Sequence, residues 1–480
     1  MDNNREVLKS GVWYMFSNFI VKGMIFITTP IFTRLMTHED FGLYNNYTSW
    51  LGIFTVLVTL NLGTTFISAK FDFSTKFDEY IFSVLTLSAL LGILWLVPMN
   101  IFSVQVSERT GIDRQYLNLM ILYLIALPAV DMFQGRERYA YKYKVSVFLS
   151  VLLSVFTAAV SVGLVLQMDN KLTGRIIGSV VPTIIIGAVL YLYLAKKGKK
   201  VNVKYWKYAF PICLPFIPHG LSLIILNSMD RMMITDICGP EDNALYSLAY
   251  TCGAVITLIV SSMNTAFSPW LGEKLHARQN TVIYDVSQKY ILLFVALAAG
   301  VMLVTPEILL VMGGKSYQEA IYVMPPVAFG CVCQFLYTMF VNIEQFEKKT
   351  VGMAFASVSA ALINYGLNTF FIPKYGYIAA AYTTLASFLW LLFIHMLFVK
   401  RLGYTRLYPV KFIFAVLAGM SFYTVAVNYL YVLAPLRYAL VLVYGILFFF
   451  FGWKYRKKIQ IIFQRSEETA EDSCRHTPAG

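Results

Sequence analysis

The chain has 480 residues, 58% of them hydrophobic and only 14% charged. Roughly a quarter of a soluble domain is charged, and no water-soluble fold of this size could hide so much apolar side chain, so lipid is left as the solvent. The formal charge of +13 first calls for a topological explanation, because cytoplasmic loops of membrane proteins collect Lys and Arg.

A span needs about 20 mostly apolar residues. In chain order the sequence offers fourteen: 12–33, 43–68, 80–105, 116–134, 145–167, 174–195, 208–235, 245–270, 288–312, 320–343, 350–372, 377–399, 408–430 and 435–453. Their continuous apolarity predicts helices, since barrel strands run about 10 residues and alternate in polarity. The expected fold is all-α and membrane-integral. The first span reads as a true span rather than a cleavable signal, because it is of spanning length, carries Lys22 and lacks a small-residue cleavage pattern.

Lys22 lies near the centre of that span. An ammonium there costs several kcal/mol unless it faces a wet cavity or a partner, and a cavity-facing role is expected. The largest basic cluster, Lys196 to Lys207, separates the sixth and seventh spans and reads as a linker. The seventh span begins Phe210-Pro211-Ile212-Cys213-Leu214-Pro215-Phe216-Ile217-Pro218-His219-Gly220. Pro211, Pro215, Pro218 and Gly220 predict a broken helix, tolerated where it lines a cavity or packs in protein. His219 falls in that stretch, as a buried hydrogen-bonded histidine or a proton-sensitive one. Asp230-Arg231 lies toward the other end of the same span. Adjacent residues stand about 100° apart on a helix, so the two are poorly placed to pair with each other. Arg34, Arg175 and Glu307 are weaker candidates at span ends. Asn61, Asn264, Gln334, Asn364 and Asn368 are expected to make interhelical hydrogen bonds.

With the N-terminus inside, 29 of the 39 Lys and Arg fall on the cytoplasmic side, 9 on the other, and Lys22 within a span. Both termini are therefore expected in the cytoplasm. An internal repeat is also visible. Glu39-Asp40-Phe41-Gly42-Leu43-Tyr44 corresponds to Glu241-Asp242-Asn243-Ala244-Leu245-Tyr246, and Gly174-Arg175 to Gly376-Tyr377, both at an offset of 202. Six helices per repeat makes the repeats parallel. The expected organisation is residues 1–195 as an N-lobe, 196–207 as a basic cytoplasmic linker, 208–400 as a C-lobe, 401–453 as two added helices and 454–480 as a cytoplasmic tail. The six cysteines are scattered without metal-ligand or redox spacing. Phosphate loops, H-E-x-x-H and a G-x-S-x-G context are missing, so no enzyme activity, metal or cofactor is expected.

Three segments carry a family resemblance. Pro30-Ile31-Phe32-Thr33-Arg34-Leu35-Met36 with Phe41-Gly42-Leu43-Tyr44 resembles the end of the first helix of Wzx-type polysaccharide flippases. Pro215 to His219, Asp230-Arg231 and Leu245-Tyr246 resemble their seventh helix and the loop after it. Asn368, Pro373, Tyr375-Gly376 and Ala379-Ala380-Ala381 resemble the junction before their twelfth. The resemblance implies the fold of multidrug and oligosaccharide-lipid exporters, with two six-helix lobes around a central cavity and two added helices. It implies alternating-access flipping of an undecaprenyl-pyrophosphate-linked oligosaccharide to the outer leaflet of a bacterial inner membrane. Such a reaction serves O-antigen, capsule or exopolysaccharide synthesis. A polysaccharide polymerase and a chain-length regulator are the implied protein partners, and no nucleic acid is expected.

The implied cationic cavity makes Lys22, Arg34 and Arg231 the substrate-binding candidates. Asp230, His219 and Glu307 are candidates for coupling to H+ or Na+ or for gating. A drug/cation antiporter of the same superfamily is the alternative. It should carry buried carboxylates, whereas the spans read as richer in bases than acids at mid-depth. A polymerase would need a large external loop, and none is visible.

Overall fold

The computed structural model describes residues 2–139, 142–214, 216–347, 350–404, 407–447, 450 and 454. All regular elements among them are helical. They are α1 (Asp2–Leu35), α2 (His38–Thr59), α3 (Phe66–Asp72), α4 (Phe77–Ile101), α5 (Ser103–Thr110), α6 (Arg114–Tyr139), α7 (Tyr143–Gln167), α8 (Lys171–Gly198) and α9 (Val203–Cys213). The chain continues through α10 (Phe216–Ile237), α11 (Pro240–His276), α12 (Asn280–Leu303), α13 (Thr305–Gly313), α14 (Met324–Phe346), α15 (Thr350–Tyr375), α16 (Tyr377–Arg401) and α17 (Val410–Val432). Short 3₁₀ turns join several of these, and a further apolar helix covers Ala434–Leu447.

Among the described residues, ten helical stretches are long and apolar enough to cross a membrane. They coincide with the expected spans three to six and eight to thirteen. The count of fourteen does not follow from length and apolarity alone. The helices that fall short have physical reasons to do so. α1 carries Lys22, α2 carries Asn45, Asn46 and Ser49, and α10 carries Asn227, Asp230 and Arg231. Polar residues in mid-helix are favourable only where the helix faces protein or a wet cavity.

Local chemistry sets several boundaries. The Thr37 hydroxyl accepts from the Asp40 N–H at 3.1 Å, and Glu39 and Asp40 occupy the positive end of α2. Asn170 accepts from the Thr173 N–H at 2.8 Å to start α8. Two elements break inside the bilayer-length segments. Leu60 and Asn61 take left-handed φ values of 49° and 50°, ending α2 well short of the expected 43–68 span. The seventh span divides into α9 and α10 around position 214, with Pro211 inside α9 and Pro218 in the first turn of α10, where its missing N–H is least missed. Pro215 and the side chain of His219 lie outside the described residues. The two breaks abut: a Cβ on Gly220 would stand 3.0 Å from the Asn61 amide nitrogen.

Packing sorts the helices into two groups. α4, α6, α7 and α8 pack among themselves, and α1 lies along α7. α10, α11, α14, α15 and α16 form the second group, with α12 against α14. α9 packs on α4, so the two halves of the broken seventh span lean on different groups. α17 docks on α12 through Tyr hydroxyls that reach its backbone carbonyls, Tyr431 to Met302 at 2.6 Å and Tyr423 to Ala299 at 3.1 Å. Arg437, on the Ala434–Leu447 helix, grips Glu307 of α13 with two N–H donors at 2.6 Å each. Arg437→Met leaves that carboxylate single, and hydrogen bonds to charged groups contribute roughly 1.5–3 kcal/mol. The variant should unfold at a lower temperature than wild type in detergent, and an equal midpoint would show that the pair does not hold the helix in place.

Candidate functional site

The two helix groups meet along a seam at the end carrying the α1–α2 and α10–α11 turns, the end that the charge count assigns to the outside. Thr33 near the end of α1 donates to the Met312 carbonyl of α13 at 2.6 Å. Arg34 donates to Pro30 at 2.7 Å and across the seam to the Val311 carbonyl at 2.9 Å. These carbonyls belong to the last turn of α13, where helix oxygens have no internal partner and the dipole attracts a cation. His38 adds a 3.1 Å contact with the Ser316 hydroxyl and lies against the Tyr317 ring. Between α2 and α11, the Asn243 amide donates to the Gly42 carbonyl at 2.9 Å. The backbones come so close here that a Cβ on Gly42 would overlap the Pro240 carbonyl.

Lys22 lies deeper on the same helix. Residues 22, 26, 29 and 33 share one face of α1 at helical spacing. At Thr33 that face is closed against α13, whereas at Lys22, about 16 Å down the axis, the side chain is exposed. No carboxylate partner for Lys22 is found among the described residues. Arg34 is about 18 Å from Lys22 along α1 and is already engaged in the seam, so the two do not form one anion pocket in this conformation.

Asp230 and Arg231 diverge, as neighbours on a helix must. Asp230 is 1% exposed and enters a polar cluster inside the second group. Its Oδ2 accepts from Tyr246 of α11 and from Thr384 of α16, both at 2.5 Å, and its Oδ1 accepts from Asn368 of α15 at 2.6 Å. Asn368 also donates to Asn364 at 3.2 Å and accepts from Thr383, while Asn364 donates to Thr384 at 3.0 Å. Asn364 and Asn368 sit one turn apart, so their amides act as one unit. The donors to Asp230 are all neutral. A charge so deep needs compensation, by a proton or by a bound cation. Arg231 turns instead to the Tyr250 ring, with its guanidinium carbon 5.0 Å from the centroid, and its buried Nε meets no acceptor.

Glu307 stands apart from this cluster, tied to Arg437 as above, which gives it a docking contact and leaves no free carboxylate for gating in this conformation. Two further ionisable features escaped the sequence reading. Asp131 is an exposed carboxylate in α6. Glu344 of α14 and His395 of α16 are 1% and 2% exposed and meet at 2.6 Å. An acid inside an apolar run was the available signal for Asp131. The pairing of residues 344 and 395 depends on helix rotation, which spacing does not reveal. These acids narrow the expected excess of bases over acids in the spans, where Asp131 and Asp230 are set against Lys22, Arg175 and Arg231. Among the described residues no cluster of three or more His, Cys, Asp or Glu could hold a metal ion.

Residues 7–274, more than half of the chain, match the family model described as polysaccharide biosynthesis protein. The chain belongs to that family. It is 23% identical over 322 residues to Lsg locus putative protein 1 of Haemophilus influenzae, covering 64% of this chain and 76% of that protein. An uncharacterized membrane protein of the same organism is 23% identical over 380 residues, covering 75% and 89%. Among solved structures, the lipid II flippase MurJ in an inward closed conformation superposes with a TM-score of 0.70 at 13% identity, covering 93% of this chain and all of that one. An inward-facing MATE family multidrug resistance transporter of the MOP superfamily gives 0.55 at 13% identity, covering 80% and 96%. At such identities the likeness concerns the fold, which is the all-helical MurJ/MATE-type transporter fold. The protein is a multi-pass membrane protein of the polysaccharide biosynthesis family, with the fold of these flippase and transporter structures.

Gly42→Val should force the seam apart, because overpacking a close contact costs about 1–3 kcal/mol. Gly23→Ala is the control, since nothing lies within 4 Å of an added Cβ there. Thermal unfolding in detergent should show a lower midpoint for Gly42→Val only. Equal midpoints for both would remove the seam's close approach as a stabilising contact.

Proposed function

We propose that the protein flips an undecaprenyl-pyrophosphate-linked oligosaccharide from the cytoplasmic to the outer leaflet of a bacterial inner membrane, by alternating access, in the synthesis of O-antigen, capsule or exopolysaccharide. Both termini lie in the cytoplasm in this reading, which the Lys and Arg distribution supports. The two helix groups are the lobes, bounded as the sequence repeat suggests at 1–195 and 208–400, and the seam at the α1–α2 end is the outer gate. A polymerase and a chain-length regulator would take the product onward.

One observation carries the reading. Lys22 and Arg231 lack a carboxylate partner among the described residues, while Arg437 and Arg136 each have one. Cations held unpaired at membrane depth are expensive, and an anionic substrate that passes them offsets the cost. Family membership supports a polysaccharide precursor as that substrate. Arg34 then serves the gate: it holds the α13 carbonyls when the seam is shut and is free to meet the substrate's charge when it opens.

Asp230 is the coupling residue in this account. Proton or sodium binding at its carboxylate rearranges the donors from α11, α15 and α16, and so alters how α10 packs in the C-lobe. His219 shares α10 and remains a second coupling candidate, whereas Glu307 is better read as the anchor of the last helix. A drug/cation antiporter is the second reading, favoured by the buried Asp230 and by the shape of the MATE transporter.

Flipping of a fluorescent undecaprenyl-pyrophosphate oligosaccharide in proteoliposomes separates the two. Wild type should flip it, and Lys22→Ala and Arg231→Ala should each slow flipping at least tenfold while remaining folded. Wild-type rates in both variants would discard these two residues as the cationic wall. No flipping, with export of a small organic cation instead, would establish the antiporter.

Asp230→Asn removes the charge and keeps an acceptor for its neighbours. It should fold and should abolish the dependence of flipping on a proton or sodium gradient. Unchanged gradient dependence in that variant would exclude Asp230 from coupling.

A further inference from the structure

Arg175 is the fifth residue of α8, close to the turn between α1 and α2. Its guanidinium carbon lies 3.7 Å from the Phe32 ring centroid of α1 and 4.3 Å from that of Tyr44 of α2, over the face of each ring. Its Nε is buried and meets no acceptor, and no carboxylate pairs with it among the described residues. Arg175 as a whole is half-buried, and a guanidinium partly withdrawn from water with no counter-charge is costly to hold. The rings ease the positive charge but accept none of its hydrogen bonds. Stacking occupies the broad faces of the group. The in-plane N–H donors, the ones that match the fork of a phosphate or carboxylate, are left for another partner.

The repeat sharpens the point. Tyr44 and Tyr246 occupy corresponding places, each seven residues into its helix, α2 and α11. In the second helix group the tyrosine serves an acid, since Tyr246 donates to Asp230 at 2.5 Å. In the first group the corresponding tyrosine stacks on a base. The position matching Arg175 in the second repeat is Tyr377, so the guanidinium is a feature of one half alone. The duplicated scaffold thus holds an acid deep in one half and an unpaired base in the other.

We propose that Arg175, held edge-on by Phe32 and Tyr44, is an anion-binding subsite on the N-lobe wall next to the outer seam, where it takes a pyrophosphate group. The choice of pyrophosphate rests on the flippase reading above; the presence of an anion subsite rests on the unpaired guanidinium. Phe32 and Tyr44 ride on α1 and α2, the helices that meet α13 and α11 across the seam. Occupation of the subsite is therefore felt at the gate: an anion drawn to the guanidinium edge sits against the same two helices that must move for the seam to open.

The test uses the full chain in nanodiscs, with binding of undecaprenyl pyrophosphate and of uncharged undecaprenol measured by thermophoresis. Wild type should prefer the pyrophosphate, and inorganic pyrophosphate should compete. Arg175→Gln should lose about tenfold of that preference together with the competition. Arg175→Lys keeps the charge and loses the planar fork, so it should fall between the two and also serves if the Gln variant does not fold. Full preference and competition in both variants would make the aromatic clamp structural only and overturn the subsite, while leaving the flippase reading in place. A wild type that does not distinguish pyrophosphate from alcohol would overturn the flippase reading first, and the assignment of pyrophosphate to Arg175 with it.

Discussion

In hydrocarbon, a charge without a partner or a wet cavity costs several kcal/mol, and that single constraint orders this molecule. It explains why most of the chain is apolar and why the exceptions can be read one by one. Some charges are neutralised in place. Arg437 grips Glu307 and fastens the last described helix, Glu344 meets His395 between α14 and α16, and Asp78 takes Arg136 between α4 and α6. Asp230 is wrapped in neutral donors, which stabilise its oxygens without cancelling its charge. Lys22, Arg175 and Arg231 are left unpaired. The first class builds the fold. The second and third hold free energy that a transported ion or an anionic substrate can release, and they are where function is to be sought.

The same constraint shapes the seam. α1, α2 and α10 fall outside the ten helices long and apolar enough to cross a membrane, and α1 and α2 are the helices that cross from one group to the other. Their polar residues are accommodated separately: Asp230 is buried in its own group, Asn46 donates to the Thr110 carbonyl and Lys22 is exposed. The crossing includes a glycine pressed to a proline carbonyl and two side chains capping the last turn of α13. A buried apolar cluster crosses the seam with them, in which Phe32, Met36 and Phe41 pack against Ala244, Leu309 and Met312. Alternating access has to part this cluster together with the polar contacts.

Much of this was legible in the sequence, because apolarity reports which segments meet lipid. The all-helical fold, ten of the spans and the break of the seventh at its prolines all follow from runs of residue types. Asn364 and Asn368 also announced themselves as interhelical bonders, and Asp230 as an unusual acid. Rotation was not legible. Spacing cannot tell that Asp230 turns toward residues 138 and 154 positions away while Arg231 turns to a ring. Nor could it tell that Arg34 would be engaged at the seam, some 18 Å from Lys22 along α1. The end of α2 was hidden too, since Leu60 and Asn61 sit in an apolar run and only their left-handed backbone breaks it. The family resemblance named candidate residues without giving their geometry.

The central claim is that transport proceeds by parting and closing the seam between α1 and α13. In a background without native cysteines, Thr33→Cys and Met312→Cys would place a cross-link where Thr33 now donates to the Met312 carbonyl at 2.6 Å. Flipping of the fluorescent lipid-linked oligosaccharide should stop when the pair is oxidised and return on reduction. Flipping at the uncross-linked rate with the seam locked would contradict the account.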